Sequence, residues 1–339
     1  MTDGVSVVVP TRNRGGLLAA TLASVLGQRD ARFEVIVVDD GSEEPARAPE
    51  PGTTAVPVQV IRHPAARGVA AARNTGLAAA SMAWVAFTDD DDLWAPAKLA
   101  AQLGAVADHA KAAWSCVGAV KVDDGLDVIG ISRPPPSGEV ASLLLARNCV
   151  PGGGSGVLAR TALLRELGGF DTALSICADF DMWIRLALRS PVAAVDRPLL
   201  AYRVHGGAMS GALAGIDREL AYLWAKHGDE RERRDLVPDA GIHAWIGDRL
   251  QRSHQRRRAA AAFLRAAPSL GRPRAAARAV ESAVWPSAYR WRDARRTRAI
   301  PAAWADEAAQ WLAPLRGREP GAAGGPVSPP PAAAPVRPT

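Results

Sequence analysis

The strongest constraint on the fold is an alternation, through about the first 120 residues, of short β-branched runs with Ala- and Leu-rich stretches of helical length. Residues 5–9 (VSVVV), 34–38 (EVIVV), 58–61 and 84–87 read as buried strands. Stretches 16–26, 69–79 and 96–108 read as the helices between them. Near-continuous apolar strands joined by crossover helices predict a mostly parallel sheet covered on both faces. Chemistry in such open sheets collects at the carboxyl ends of the strands. The polar clusters of this chain lie in those loops.

Beyond residue 114 the pattern changes. Residues 114–117 read as a strand, 120–131 as an antiparallel hairpin, 133–138 as a Pro-rich loop, and the glycines 152–154 and 156 as a mobile irregular segment. Helices over 161–167 and 179–189 and strands over 192–195 and 199–204 complete the pattern. Residues 216–315 are rich in Ala, Arg and Trp with helical periodicity, interrupted at prolines 238, 268, 273, 286 and 301. Residues 317–339 are mainly Pro, Ala and Gly, a composition that cannot offset chain entropy, and are predicted to be disordered. The chain is therefore divided into an α/β domain (1–215), a basic helical extension (216–316) and a tail (317–339).

A chain of 339 residues buries a large core without disulfide or metal staples. With 48% apolar and 22% charged residues it is neither collagenous, nor wholly disordered, nor a disulfide scaffold. Three cysteines, Cys116, Cys149 and Cys177, lack CxxC spacing, which points to a reducing cytoplasm. The N-terminus shows no basic segment followed by a long apolar one, so no secretory signal or signal anchor is expected. The longest uncharged run, 74–88, is too short and too polar to span a bilayer. The net charge of +6 is unevenly spread: residues 1–215 carry 19 Lys and Arg against 22 Asp and Glu, residues 216–316 carry 20 against 12.

Four consecutive aspartates, Asp89 to Asp92, follow the strand at 84–87. Adjacent carboxylates repel one another, and hard divalent cations prefer oxygen ligands, so this run reads either as a cation site or as a solvated turn capping the next helix. A second acidic loop, Asp39-Asp40-Gly41-Ser42, ends the strand at 34–38 and suits ribose or base recognition, or a simple Asx turn. Opposite these, Pro10-Thr11-Arg12-Asn13-Arg14 and Arg67-Gly68…Arg73-Asn74 supply a diphosphate cradle or structural ion pairs.

The series VVVPTRNR, VIVVDDGS, RGVAAARNTGL, FTDDDDLW, GGFD…ADFDMWIRLAL and YRVHGGAMSG resembles family 2 glycosyltransferases of the GT-A fold, over about residues 4–210. The resemblance implies a mixed, mostly parallel α/β sheet with helices on both faces. It implies that Pro10, Thr11 and Arg12 line the nucleotide, that Asp39 contacts base or ribose, and that Arg73 lies near the donor. The family's DxD motif corresponds to Asp89-Asp90-Asp91, with Asp91 as the metal contact and Asp89 or Asp90 facing ribose and diphosphate. Asp179 matches the acid that serves as catalytic base, and Ala178 stands where the family has Glu. His205 matches a position that in some members helps bind metal or diphosphate.

The residues taken by themselves leave Asp179 open between a base and the N-cap of the following helix. Asp181, two residues on, reads as structural. Ten tryptophans are an unusual share, six of them beyond residue 215, where helical spacing favours core filling. Trp94 and Trp183 are candidates for the acceptor side. The arginines at 256–258 and at 295, 296 and 298 fit a solvated helix face or an anionic membrane surface, and no nucleic-acid module is present. The expected activity is Mg²⁺- or Mn²⁺-dependent, inverting transfer from a nucleotide-sugar donor, UDP favoured, to a saccharide, lipid-linked or small-molecule acceptor. The location expected is cytoplasmic, with possible contact at the inner face of the membrane. Two other readings stand beside it: a non-catalytic nucleotide-sugar or glycan-binding module, and a basic membrane-surface adaptor.

Overall fold

Along the first strand Val5, Val7 and Val9 face one side and Ser6 and Val8 the other, and all five are buried, as a strand covered on both faces requires. In this computed structural model, which describes residues 2–48, 54–204, 213, 215–237, 239–252, 254–285 and 300–316, that strand is β1 (Thr2–Thr11). It lies between β2 (Phe33–Asp39) and β4 (Met82–Phe87), both parallel to it, and β3 (Val58–Arg62) extends the parallel half beyond β2. The other half is mixed. β8 (Val157–Arg160) runs antiparallel to β4 and β6 (Trp114–Val122), β9 (Val192–Arg203) runs parallel to β6, and β5 (Leu93–Trp94) and β7 (Val128–Ser132) pair antiparallel with β9 and β6. Among the described residues the sheet has nine strands, in the order β3-β2-β1-β4-β8-β6-β9-β5 with β7 on β6.

Helices α1 (Gly15–Leu26) and α3 (Lys98–Asp108) cover the face of Val5, Val7, Val35 and Val37 through Leu18, Leu22, Val25 and Leu99. Helix α2 (Val69–Ala79) covers the face of Val8, Ile36 and Val38. On that side also lie α4 (Ala141–Ala146), α5 (Thr161–Glu166) and α6 (Ala178–Ala187). The expected sheet with helices on both faces is thus present.

Three local expectations are corrected. Residues 114–122 form one strand, so the hairpin begins inside β6, and its turn is held by Asp123, whose Oδ1 accepts from the N–H groups of Gly125 and Asp127. Residues 192–203 likewise form one strand, with its irregularity against β6 at Val117–Ala119. The glycine segment is packed rather than mobile: Gly154, Ser155 and Gly156 are buried in the turn Gly153–Gly156 that leads into β8. Strands β5 and β8 span two and four residues, too few for periodicity to reveal.

The extension continues the same core. Ile216, Leu220 and Leu223 of α7 (Ile216–Lys226), Ile246 and Leu250 of α9 (Gly241–Arg252) and Phe263 of α10 (Arg256–Arg265) join the cluster that holds Phe180 and Trp183. Between α7 and α9 lies the short α8 (Gly228–Glu232). Pro268 and Pro273 start helices rather than only ending them, in the first turns of α11 (Ala267–Leu270) and α12 (Arg272–Val284), where a missing N–H costs nothing. Helix α13 (Ala302–Leu312) returns to the sheet, where Trp304 occupies the space that a Cβ on Gly118 would fill and Trp311 donates from Nε1 to the Pro198 carbonyl at 3.0 Å. No helix among the described residues is long and apolar enough to cross a membrane. The predicted disordered tail 317–339 and the arginines at 295, 296 and 298 lie outside the described residues.

Candidate active site

Parallel register sets Thr11, Asp39 and Arg62 side by side at the carboxyl ends of β1, β2 and β3. The Asp39 carboxylate is fully buried: Oδ1 accepts from the N–H of Ser42 at 2.8 Å, Oδ2 from the N–H of Ala46 at 3.0 Å and from Arg62 Nη1 at 3.2 Å. Burial pushes this carboxyl up, but those donors outweigh it and hold it below its ordinary range. Asp40 turns the other way. Its Oδ1 meets His63 Nδ1 at 2.7 Å and the Arg67 N–H at 2.8 Å, its Oδ2 the Gly68 N–H at 2.8 Å, and His63 Nε2 reaches Thr75 Oγ1 at 2.9 Å. The second acidic loop is thereby tied to the start of α2. Pro10 and Thr11 are buried at the end of β1, and Arg12 is exposed beside them.

The four aspartates after β4 have separate surroundings. Asp89 Oδ1 accepts from Arg73 Nη2 at 2.6 Å, and its N–H donates to Ser155 Oγ at 2.9 Å. Asp90 accepts from Thr11 Oγ1 at 2.7 Å and Arg14 Nη1 at 3.1 Å. The same Arg14 nitrogen reaches Asp91 Oδ2 at 2.9 Å. Asp92 is fully buried, accepting from Ser155 Oγ and, at 3.1 Å, from the Arg203 N–H. Burial, with Asp91 adding and Arg14 opposing, pushes the Asp90 carboxyl up to about 6. Burial and the neighbouring carboxylates raise Asp92 well above its ordinary value. The run is not a solvated turn.

One carboxylate oxygen each from Asp89, Asp91 and Asp92 lies within 4.8 Å of the others. Three converging hard oxygen donors, crowded enough to raise a carboxyl, fit Mg²⁺ or Mn²⁺. Asp90, which the sequence placed inside the DxD motif, instead faces Thr11 and Arg14. Asp92 takes the third place in the cluster. His205 lies outside the described residues.

Asp179 comes from a different part of the chain. It occupies the first turn of α6, whose N-cap is Cys177, so the N-cap reading of Asp179 is corrected; its Oδ1 accepts from the adjacent Phe180 N–H at 2.6 Å. Burial pushes its carboxyl up to about 6, with Arg73 opposing and Asp89 adding. The turn Gly153–Gly156 joins the two sides. A Cβ on Gly153 (φ +56°) would lie 2.8 Å from Asp179 Oδ2, and one on Gly154 would lie 2.7 Å from Arg73 Nη2. Only glycine backbone lets both groups approach this wall. Arg73 is itself buried, with Nε making no hydrogen bond and its guanidinium 5.4 Å from the centre of the Phe170 ring.

Trp94 and Trp183 are 1% and 0% exposed, so neither can stack on an acceptor sugar. Trp183 instead stacks on Trp114 with ring centres 6.4 Å apart. Asp181 is structural, as expected, and its partners include His227 and Lys226 of the extension. Sequence reasoning assigned no role to His63 or Ser155, and it read Asp92 only as part of the four-acid run, outside the DxD assignment. The glycine run was the signal for the wall that Ser155 and Gly153 build; His63, a lone histidine, offered none.

Residues 6–168 match the family described as glycosyl transferase family 2. A glycosyltransferase of Haemophilus influenzae is 29% identical over 184 residues, 54% of this chain and 61% of that protein. The Escherichia coli UDP-Glc:alpha-D-GlcNAc-diphosphoundecaprenol beta-1,3-glucosyltransferase WfgD is 26% identical over 227 residues, covering 66% of this chain and 85% of that protein. The chain thus spans less than two thirds of the first relative and most of the second. Among solved structures, the mannosyltransferase PcManGT from Pyrobaculum calidifontis, in complex with GDP-Man and Mn²⁺, superposes with a TM-score of 0.52 at 23% identity over 91% of this chain and 87% of that one. The acidic loops of the parallel half-sheet and the Asp cluster after β4 all lie within residues 6–168, the part of the chain that matches glycosyl transferase family 2, and the sheet they stand on has a GT-A-type fold.

Proposed function

We propose that the chain is a nucleotide-sugar glycosyltransferase, its transfer unit within residues 1–215, that moves a sugar to an acceptor hydroxyl with inversion at the anomeric carbon. The observation that carries this reading is the convergence of Asp179, Arg73 and the Asp89–Asp91–Asp92 cluster around one glycine wall. A lone carboxylate with a raised pKa opposite a cationic and acidic donor edge is the arrangement that a single displacement needs.

In that reaction the acceptor oxygen forms a bond to the anomeric carbon as the bond from that carbon to the diphosphate oxygen breaks. Asp179 takes the acceptor proton, and the nucleoside diphosphate leaves with the electron pair. Asp89, Asp91 and Asp92 would hold Mg²⁺ or Mn²⁺, which when bound supplies charge neutralisation for the departing diphosphate; His205 is proposed as a further contact on the resemblance alone. Arg73 directs its guanidinium to the same diphosphate. Pro10, Thr11 and Arg12 line the nucleotide, Asp39 orders the loop that meets base or ribose, and Asp90 braces Thr11 and Arg14 on the donor side. The wall at Gly153 and Gly154 excludes water from behind the reacting groups.

UDP is the nucleotide in the name of the E. coli relative, whose acceptor is lipid-linked, and GDP-Man is bound by PcManGT. The proposed donor is a UDP-sugar and the proposed acceptor a saccharide, a lipid-linked saccharide or a small molecule. We place the protein in the cytoplasm, reaching the inner face of the membrane through the basic extension. The test is a panel of UDP-, dTDP- and GDP-sugars with Mn²⁺ or Mg²⁺, scored by nucleotide release. Release stimulated by metal, abolished in Asp91→Ala and in Asp179→Asn while Asp179→Asn still binds donor, supports the assignment. Donor binding with no turnover in the parent protein supports a binding module instead.

A further inference from the structure

The acid proposed as the catalytic base stands on a segment beyond the family-matched region, and helix α7 of the extension helps to hold that segment in place. Asp179 opens α6, and the chain leading to it, residues 171–177, crosses the face of α7. There Glu219 Oε2 accepts hydrogen bonds from the backbone N–H of Ser175 at 3.1 Å and of Cys177 at 2.9 Å. Cys177 is the N-cap of α6, and Ala178, fully buried, stands where the resembling family carries Glu. One carboxylate oxygen of α7 therefore satisfies backbone donors on both sides of Ile176, immediately before the proposed base.

The neighbouring contacts make this a brace rather than a stray bond. Tyr222 and Lys226 of α7 both reach Asp171 Oδ2, at 2.9 and 2.6 Å, which holds the start of the same segment. Phe180, beside Asp179, packs edge-on against Trp224 with ring centres 5.8 Å apart. From the other side, the Asn74 side chain, next in sequence to Arg73, exchanges hydrogen bonds of 2.8 and 2.7 Å with the carbonyl and N–H of Phe170. The segment is held between the donor-side helix α2 and the extension helix α7.

We propose that Glu219 is a positioning residue for Asp179, fixing the backbone of Ser175–Cys177 so that the base meets the acceptor hydroxyl. This rests on the assignment of Asp179 as base. Glu219 bonds to the backbone before Asp179 and stands outside the Asp89–Asp91–Asp92 cluster, so its loss is expected to change kcat and not donor affinity. Misplacing a reacting group by about 1 Å costs on the order of 100-fold in rate.

The test uses the full chain and nucleotide release from UDP-glucose with Mn²⁺, together with donor affinity and hydrogen exchange at the amides of residues 175–177. In Glu219→Ala kcat falls by roughly 10- to 100-fold, donor affinity is unchanged, and these amides exchange faster. Glu219→Gln, which keeps the acceptor oxygen, restores both towards the parent. Glu219→Asp, shorter by one methylene, loses kcat without unfolding and decides the matter if the alanine variant fails to fold. Parent-like kcat in Glu219→Ala and Glu219→Asp, with Asp179→Asn inactive, overturns the positioning role and leaves the base assignment standing. Parent-like release in Asp179→Asn overturns the base assignment and the positioning role with it, whereas unchanged amide exchange in Glu219→Ala overturns the brace itself, whatever the activity.

Discussion

Asp179 and Gly153 illustrate how one side chain's chemistry is set by a neighbour that has no side chain. Because burial pushes the Asp179 carboxyl up to about 6, the proposed base is half protonated at that pH, and only its ionised form can accept a proton. The expected kcat/KM of the parent therefore rises with pH through about 6 and levels above it. Gly153→Ala is expected to lower release by roughly 10- to 100-fold, since its Cβ would meet Asp179 Oδ2 at 2.8 Å. Gly168 is also at positive φ (+80°), but a Cβ there would have nothing within 4 Å, so it provides the control. Gly168→Ala carries the backbone strain without displacing Asp179, so its activity stays near the parent's while its thermal midpoint drops. Asp39, Asp89 and Asp91 were conspicuous in sequence as acids after buried strands, whereas Asp179, at the start of a helix, was singled out only by the family resemblance. The split of Asp90 from its neighbours was not, since which way each carboxylate of a four-acid run turns depends on Thr11 and Arg14, both far away in sequence.

At the scale of elements, α6 and α7 are joined through Asp181, which is fully buried and accepts from His227 Nε2 at 2.9 Å, Lys226 Nζ at 2.9 Å and Arg185 Nη2 at 2.7 Å. Burial pushes this carboxyl up, but His227, Arg185 and Lys226 together outweigh it and hold it at about 2. A folded-state pKa below the unfolded value contributes stability that is present above about pH 4 and lost as the pH falls towards 2, here on the order of 2 kcal/mol. Urea unfolding of the parent and of Asp181→Asn at a series of pH values measures it. The variant is less stable near pH 7 by roughly 3 kcal/mol, because it leaves buried cations uncompensated, and the gap narrows below pH 4. Helix α6 itself was legible, its start only one residue from the predicted one. Its junction with α7 was not, because residues 46 positions apart in the chain meet there.

At the scale of the whole molecule, the acidic N-terminal part and the basic extension close onto each other. Arg197 of β9 pairs with Glu307 of α13 at 2.7 Å, and Arg316 with Asp127 at 2.9 Å, but such exposed pairs contribute little. The apolar contact of Trp304 with Gly118 dominates, and Trp304→Ala is expected to destabilise the fold by about 3 kcal/mol in urea unfolding. Gly118→Ala, which pushes against the same ring, acts in the same direction. The amino-acid order alone determined the alternation of strands and helices, the acidic ends of the strands and the helical character of the extension, because each follows from local periodicity and local charge. Where the extension lands, which aspartates share a cluster and which residue bonds to the backbone before Asp179 were decided only by the tertiary structure. Those outcomes depend on contacts between distant segments, whose energies no local window of sequence contains.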